Sequence, residues 1–229
     1  MKILTFNTCL LPEYLNIFNP TYKSKENNII RTLKIHKLIK KIDPDIIFLQ
    51  EIYDQNIFKI LINLFKKDGY KFSHINDKNK FVINGIVTLS KFEILETEFI
   101  NYESESIDIF AYRGLLINKI KYNDKIINLI NVHLQNKDTS TKNNLYQIEK
   151  LIEYLKTNNK ELFICGGDFN NTLNIEDFYY TKNLVTFIDP KKDESCVDYI
   201  ITNSKDFENY ISVKNDLSDH FYVLVELNL

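Results

Sequence analysis

Apolar residues in this chain recur with two periods, and the period changes from segment to segment. Ile3 to Phe6 predicts a short strand ending in the polar Asn7. A helix is predicted over about residues 26–41, where Ile35, Leu38, Ile39 and Ile42 fall at helical spacing and Lys34, Lys37 and Lys41 fall on another face. Asp43-Pro44 ends it, because proline disfavours helix in the residue before it. Ile46 to Leu49 is a continuous apolar run, the mark of a buried strand, and it stops at Gln50-Glu51. Asp54 can cap a second helix carrying Ile57, Ile60, Leu61 and Leu64 on one face, with Gly69 as its stop.

Further strands are predicted at Tyr70–Ser73, Phe81–Leu89, Ile94–Ile100, Leu115–Tyr122 and Ile126–His133. The last two join at Asn123-Asp124, a pair suited to a tight hairpin turn. Thr141 to Lys156 reads as an amphipathic helix through Leu145, Ile148, Ile152 and Leu155. Leu162–Cys165, Cys196–Thr202 and Tyr222–Leu227 complete the strands. No repeat period and no linker interrupts the mixture, so one domain spanning residues 1–229 is expected. Two packed sheets with helices outside would bury this many apolar strands.

Composition narrows the function classes. The chain has 229 residues, 44% hydrophobic and 26% charged, with only 5 Gly and 4 Pro, which leaves little room for flexible linkers. A net charge of −2, from 29 basic and 31 acidic residues, lacks the basic excess of a dedicated nucleic-acid binder. Cys9, Cys165 and Cys196 form neither a disulfide framework nor a zinc-ligand pattern, and read as free thiols in a reducing compartment. No apolar run reaches membrane-span length, and Met1 to Asn7 has too short an apolar core for a signal peptide. A cytoplasmic or otherwise intracellular monomer is therefore expected.

The chemistry-bearing residues cluster at strand ends. Glu51 follows a buried strand, where a carboxylate can bind a hard divalent cation or begin a surface loop. In Gly166-Gly167-Asp168-Phe169-Asn170 the glycines permit a sharp turn. Asp168 can orient or deprotonate a water and Asn170 can donate to a phosphoryl oxygen, though both also suit an ordinary turn. Ser218-Asp219-His220 precedes the final strand, and Asp198 is a lone acid in an apolar strand for which His220 is a natural partner. The alternative for Asp198 is the solvated face of its strand. His133 sits at a strand end, where a histidine is either catalytic or a hydrogen-bonded structural residue.

Phe6-Asn7-Thr8, Leu49-Gln50-Glu51, Asn131-Val132-His133-Leu134, Gly167-Asp168-Phe169-Asn170, Asp198-Tyr199 and Ser218-Asp219-His220 resemble, in this order, the motifs of the endonuclease/exonuclease/phosphatase superfamily. That superfamily includes deoxyribonuclease-type nucleases, apurinic endonucleases, inositol polyphosphate phosphatases and neutral sphingomyelinases. The resemblance implies a deoxyribonuclease-like, four-layer αββα sandwich of two mixed, mainly antiparallel sheets with outer helices. It also implies a metal-dependent phosphoric diester hydrolase. Asn7 and Glu51 would hold Mg2+, with Mn2+ as a substitute, and His133 would contact the phosphate. Asp168 and Asn170 would position the attacking water. Asp198 would orient His220, Asp219 would support the metal site, and His220 would act as general base or charged phosphate clamp.

Within the superfamily, Asn7-Thr8-Cys9-Leu10-Leu11-Pro12, Glu51-Ile52-Tyr53-Asp54 (similar to Glu-Val-Phe-Asp) and His133-Leu134-Gln135 are most similar to neutral sphingomyelinases. Asp108 with Arg113-Gly114 resembles that branch's Asp and Lys-Gly, and makes Arg113 a candidate phosphate or substrate contact. The substrate implied is a phospholipid at a membrane surface, cleaved to ceramide and phosphocholine. The chain departs from several sphingomyelinases in having no long insertion, no hydrophobic anchor and no Trp; Tyr14, Phe18 and Tyr22 either serve instead or pack on the sandwich. Nucleic acid, a phosphoinositide and a protein–nucleotide linkage are the alternative substrates. A degenerate binding module would have lost catalytic residues, and none is lost.

Overall fold

A computed structural model of the chain describes residues 1–12, 27–74, 84–102, 113–189, 191 and 193–229. The strands come together as two six-stranded sheets whose central strands are buried on both faces because both faces are covered. The first has the order β13-β14-β1-β2-β4-β3: β13 Phe207–Val213, β14 Tyr222–Leu227, β1 Lys2–Leu10, β2 Ile46–Ile52, β4 Gly85–Ser90 and β3 Lys71–His74. The second has the order β5-β6-β7-β8-β12-β9: β5 Ile94–Asn101, β6 Gly114–Tyr122, β7 Lys125–His133, β8 Leu162–Asp168, β12 Asp198–Thr202 and β9 Tyr179–Tyr180. A two-stranded ribbon, β10 Phe187–Ile188 with β11 Glu194–Ser195, stands beside them.

Three apolar layers result. Leu4, Phe6, Ile47 and Leu49 pack against Ile35 and Ile39 of α1 (Asn28–Ile42) and Leu61 and Phe65 of α2 (Gln55–Lys67). Ile3, Ile46, Phe48, Ile127, Leu129, Ile164 and Ile200 fill the space between the sheets. Ile130, Val132, Phe163 and Cys165 meet Leu151 and Leu155 of α3 (Thr141–Thr157) on the far side. This is the four-layer α/β sandwich, and alternation along each strand assigns odd and even positions to different layers.

Each sheet contains one parallel pair at its centre: β1 with β2, connected through α1, and β7 with β8, connected through α3. All other pairings within the two sheets are antiparallel. A parallel pair places both of its C-terminal ends at one edge of the sheet, which an antiparallel pair cannot do.

Local chemistry sets the boundaries. Asn27 caps α1 with its side chain, so the helix begins a residue or two later than periodicity predicts, and Asp43 ends it in the left-handed region at φ 54°. Asp54 caps α2 as expected, accepting from the Asn56 and Ile57 N–H groups at 2.7 and 3.1 Å. Asn123 and Asp124 take φ 46° and 62°, the left-handed pair a two-residue hairpin requires. β1 and β8 run on past the predicted Ile3–Phe6 and Leu162–Cys165 through Asn7 and Asp168, because polar side chains at the rim do not prevent backbone pairing. β12 starts at Asp198 instead of Cys196, since the Val197 and Asp198 N–H groups both donate to Thr186 Oγ1. The edge strand β13 was not anticipated: Phe207 to Val213 is interrupted by Glu208 and Asn209, and an irregularity at that point breaks its alternation. Residues 81–83 of the predicted fourth strand, and Tyr14, Phe18, Tyr22 and Asp108, lie outside the described residues.

The glycines before Asp168 are steric necessities. A Cβ on Gly166 would lie 2.6 Å from the Phe48 ring across the intersheet space, and one on Gly167 (φ 151°) would lie 2.0 Å from the Val132 carbonyl oxygen. Gly167→Ala is expected to destabilise the fold by about 2–3 kcal/mol, read as a lowered urea midpoint. Gly69→Ala, at φ 90° with nothing within 4 Å, is expected to cost about 1 kcal/mol. Equal effects would contradict the close-approach reading.

Candidate active site

The inward-facing row of each central strand is apolar at one end and polar at the other. On β1 it runs Ile3, Thr5, Asn7; on β7, Ile127, Leu129, Asn131, His133; on β8, Ile164, Gly166, Asp168. The polar ends meet at one rim of the sandwich. The antiparallel strands β12 and β14 begin where β8 and β1 end, which delivers Asp198, opposite Asp168 in register, and His220 to the same rim.

Asp168 is the hub. Its Oδ2 accepts from Asn7 Nδ2 at 2.9 Å and from Asn170 Nδ2 at 3.2 Å, and its Oδ1 accepts from the Asn170 N–H at 2.8 Å. His133 Nε2 lies 3.6 Å from Asp168 Oδ2 and 3.6 Å from Glu51 Oε1. His220 Nδ1 is 2.9 Å from Asp198 Oδ2, which makes the expected Asp–His pair, and His220 Nε2 is 3.9 Å from Asp168 Oδ2. Asp198 is fully buried, which excludes the solvated-face alternative, and its second oxygen has no hydrogen-bond partner among the described residues. The Phe187 ring covers His220 at 4.8 Å between centroids.

Glu51 reaches this group through a bulge. Strict alternation would turn it away from Gln50's face, but the register shifts between Leu49 and Ile52 and Glu51 takes φ 61°. Cys9 (φ 48°), in the matching shift of β1, and Asn170 (φ 52°) are also in the left-handed region. Such strain in non-glycine residues collects at functional sites.

The positions are held from behind by residues that motif reading missed. Arg31 of α1 donates to the carbonyls of Thr8 at 2.8 Å, Cys9 at 3.1 Å and Leu217 at 2.7 Å, tying the end of β1 to the loop before His220. Ser218 Oγ donates to the Asn7 carbonyl at 2.7 Å. On α3, Asn144 donates to the Gln135 and Phe169 carbonyls, and Gln147 accepts from the Gln135 N–H. The available signal was a polar residue one turn before apolar core positions: Arg31 before Ile35, and Gln147 before Leu151.

The charges are unbalanced. Burial pushes the Asp168 carboxyl up to about 7, with Asp198 adding to the rise and His220 opposing it. Burial and the nearby Asp219 also raise Glu51. Burial drives His133 well below the usual histidine range, helped by the positive Arg113 and His220. Burial lowers His220 too, but Asp198, Asp168 and Asp219 overcome it and hold the ring well above that range. Arg113 acts on both Glu51 and His133, yet its Nε and Nη1 are buried with no hydrogen-bond partner among the described residues. Asp168, Asp198 and His220 offer ligand atoms within 4.8 Å of one another and could hold a divalent ion.

The sequence profile of the endonuclease/exonuclease/phosphatase family matches residues 4–220. This chain belongs to that family. Over 203 residues it is 23% identical to sphingomyelinase C of Bacillus cereus, a match covering 77% of this chain and 59% of that protein, so the chain spans only part of the curated relatives it matches. The crystal structure of SmcL superimposes with a TM-score of 0.76 at 19% identity, covering 100% of this chain and 99% of that one. Humanized TDP2 of D. rerio superimposes with a TM-score of 0.79 at 16% identity, over the same shares of each chain. These likenesses agree on the fold. In this phosphoesterase family, the rim that gathers Asn7, Glu51, His133, Asp168, Asn170, Asp198 and His220 is the candidate active site. Asp219 lies beside it, accepting from Ser218 Oγ at 3.2 Å and raising Glu51.

The charge imbalance has a measurable sign. A carboxyl pushed up to about 7, and a histidine held above its ordinary 6.5, both keep protons in the folded chain that the unfolded chain has lost. Their contributions are fully present at the low end and disappear as pH rises through the folded values. His133, shifted the other way, acts only below 6.5. With chelator present, the thermal midpoint is therefore expected to fall between pH 6.5 and about 8, and to fall less in Asp168→Asn. A midpoint that rises over this interval would contradict the assignment.

Proposed function

We propose that this chain is a Mg2+-dependent phosphodiesterase that hydrolyses a choline phospholipid such as sphingomyelin at the lipid surface, releasing phosphocholine. The observation that carries the chemistry is the meeting of surplus buried carboxylates with Arg113 beside Glu51 and His133, its Nε and Nη1 without a hydrogen-bond partner among the described residues. Among the described residues the carboxylates are in surplus over the cations and Arg113 Nε and Nη1 meet no acceptor, and a metal with a phosphate group would answer both. The choice of substrate rests on the sphingomyelinase-like details Asn7 to Pro12, Glu51 to Asp54 and His133 to Gln135, and on the Bacillus cereus relative. The near-neutral net charge and the absence of a basic excess favour lipid over nucleic acid. The three free thiols favour a reducing compartment.

Glu51 and Asn7 would hold the ion. Their oxygen donors suit Mg2+ or Mn2+, and Glu51 keeps 21% of its side chain accessible, whereas Asp198 and His220 are already engaged with each other. When bound, the metal supplies charge neutralisation at a phosphoryl oxygen. Asp168, with a carboxyl near neutrality, takes a proton from the attacking water while Asn170 holds the carboxyl in place. The oxygen of that water bonds to phosphorus and the ester bond to the lipid alcohol breaks. His220, kept protonated by Asp198, is the charged clamp of the two roles the motifs leave open, and gives its proton to the departing oxygen. His133 and Arg113 donate to the non-bridging oxygens. Asp219 strengthens the negative field at Glu51.

The test is phosphocholine release from sphingomyelin in mixed micelles, run beside plasmid nicking. Release is expected to require Mg2+, to fall by at least about 10²-fold in His220→Ala, and to fall about 10²-fold in Arg113→Ala with partial recovery in Arg113→Lys. Glu51→Gln is expected to raise the Mg2+ concentration needed by about tenfold. Nicking without phosphocholine release would keep the site and overturn the substrate. Release that survives His220→Ala would overturn the site.

A further inference from the structure

Behind the rim, Tyr53 touches His133 from the side away from the carboxylates. The residue follows the β2 bulge and is 8% exposed. Its ring occupies space left by a missing side chain: a Cβ on Gly85, which stands at φ 75°, would lie 2.5 Å from Tyr53 Cε1 and 2.8 Å from Cδ1. The glycine therefore admits the ring, and the ring carries its hydroxyl to 3.3 Å from His133 Nδ1. The other ring nitrogen, Nε2, points between Glu51 Oε1 and Asp168 Oδ2.

A neutral imidazole has one N–H and one lone pair, and which nitrogen carries the proton follows from the partner of the other. Carboxylate oxygens accept, so the arrangement favours the proton on Nε2. Nδ1 is then an acceptor, and the Tyr53 hydroxyl is a donor at hydrogen-bond distance. We infer that Tyr53 is a positioning residue that fixes His133 as its Nε2–H tautomer, so that the ring presents an N–H and not a lone pair to an incoming phosphate oxygen. The reversed tautomer would aim a lone pair at two carboxylates and at an anionic substrate. The role assigned to that N–H rests on the phosphodiesterase reading above, whereas the tautomer itself is a property of the substrate-free protein. In the similar sphingomyelinase pattern the corresponding position is Phe, so the hydroxyl departs from that pattern.

The experiment uses 15N-histidine-labelled protein with chelator present. Four histidines contribute signals, and those of His133 are the ones lost in His133→Gln. The wild-type protein is expected to show a protonated Nε2 and a bare, hydrogen-bonded Nδ1. Tyr53→Phe keeps the ring on Gly85 and removes only the hydroxyl. In that variant the two nitrogen signals are expected to move toward each other as the tautomers mix, and kcat on the substrate proposed above is expected to fall about tenfold at unchanged KM. A proton on Nδ1 in the wild type overturns the inference, whatever the behaviour of the variant. Nitrogen signals left in place by a folded Tyr53→Phe overturn it as well. If the wild type shows the expected tautomer but hydrolyses no phosphoester, the functional reading fails and the tautomer assignment stands.

Discussion

Parallel pairing at the centre of each sheet is the constraint on which this molecule depends. β1 with β2, and β7 with β8, end at the same edge because a crossover helix returns the chain to its starting side before the second strand begins. The antiparallel neighbours β14 and β12 then begin where β1 and β8 finish. Residues from six strand ends, separated by up to 213 positions from Asn7 to His220, meet at one rim because the strands themselves end or begin there. The Asn7–Asp168 hydrogen bond joins the two sheets at that point.

Convergence of this kind is electrostatically unfavourable. Glu51, Asp168, Asp198 and Asp219 influence one another in a space largely closed to water, and the positive groups facing them are His220 and Arg113. Burial raises the Glu51 and Asp168 carboxyls and the histidines divide in opposite directions, one driven neutral and the other held charged. Divergent behaviour of neighbouring groups of one chemical type is what acid–base work at neutral pH requires. The same arrangement costs stability in the protein alone, and a bound cation would relieve it.

The rim backbone is held by hydrogen bonds that do not depend on its charges. Arg31, Asn144, Gln147 and Ser218 spend their hydrogen bonds on main-chain groups of the rim loops, and Thr186 fixes the start of β12. Backbone strain at Cys9, Glu51 and Asn170 is accommodated by the flanking sheet. The bulge at Glu51 has a structural purpose: without it, alternation would point the carboxylate into the helix layer beside Leu49.

Much of this was legible in one dimension. Strand and helix positions followed from apolar periodicity, since a strand covered on both faces reads as an unbroken run. The polar residues ending those runs stood out because an apolar context makes a lone Glu, Asp or His conspicuous. Six short motifs in a fixed order carried the family resemblance and, with it, the sandwich. Pattern alone could not supply what depends on contacts between distant segments. β13 was invisible because an edge strand need not be apolar. The supporting roles of Arg31 and Asn144 depend on carbonyls far along the chain, so no local spacing records them. Tyr53 was read only as part of a motif, and its relation to His133 exists because Gly85, on a neighbouring strand, leaves room for the ring. Sequence determined which residues could do chemistry; tertiary structure decided which of them touch, because contact across 80 or 161 positions is settled by strand register and packing and not by the local pattern of either segment.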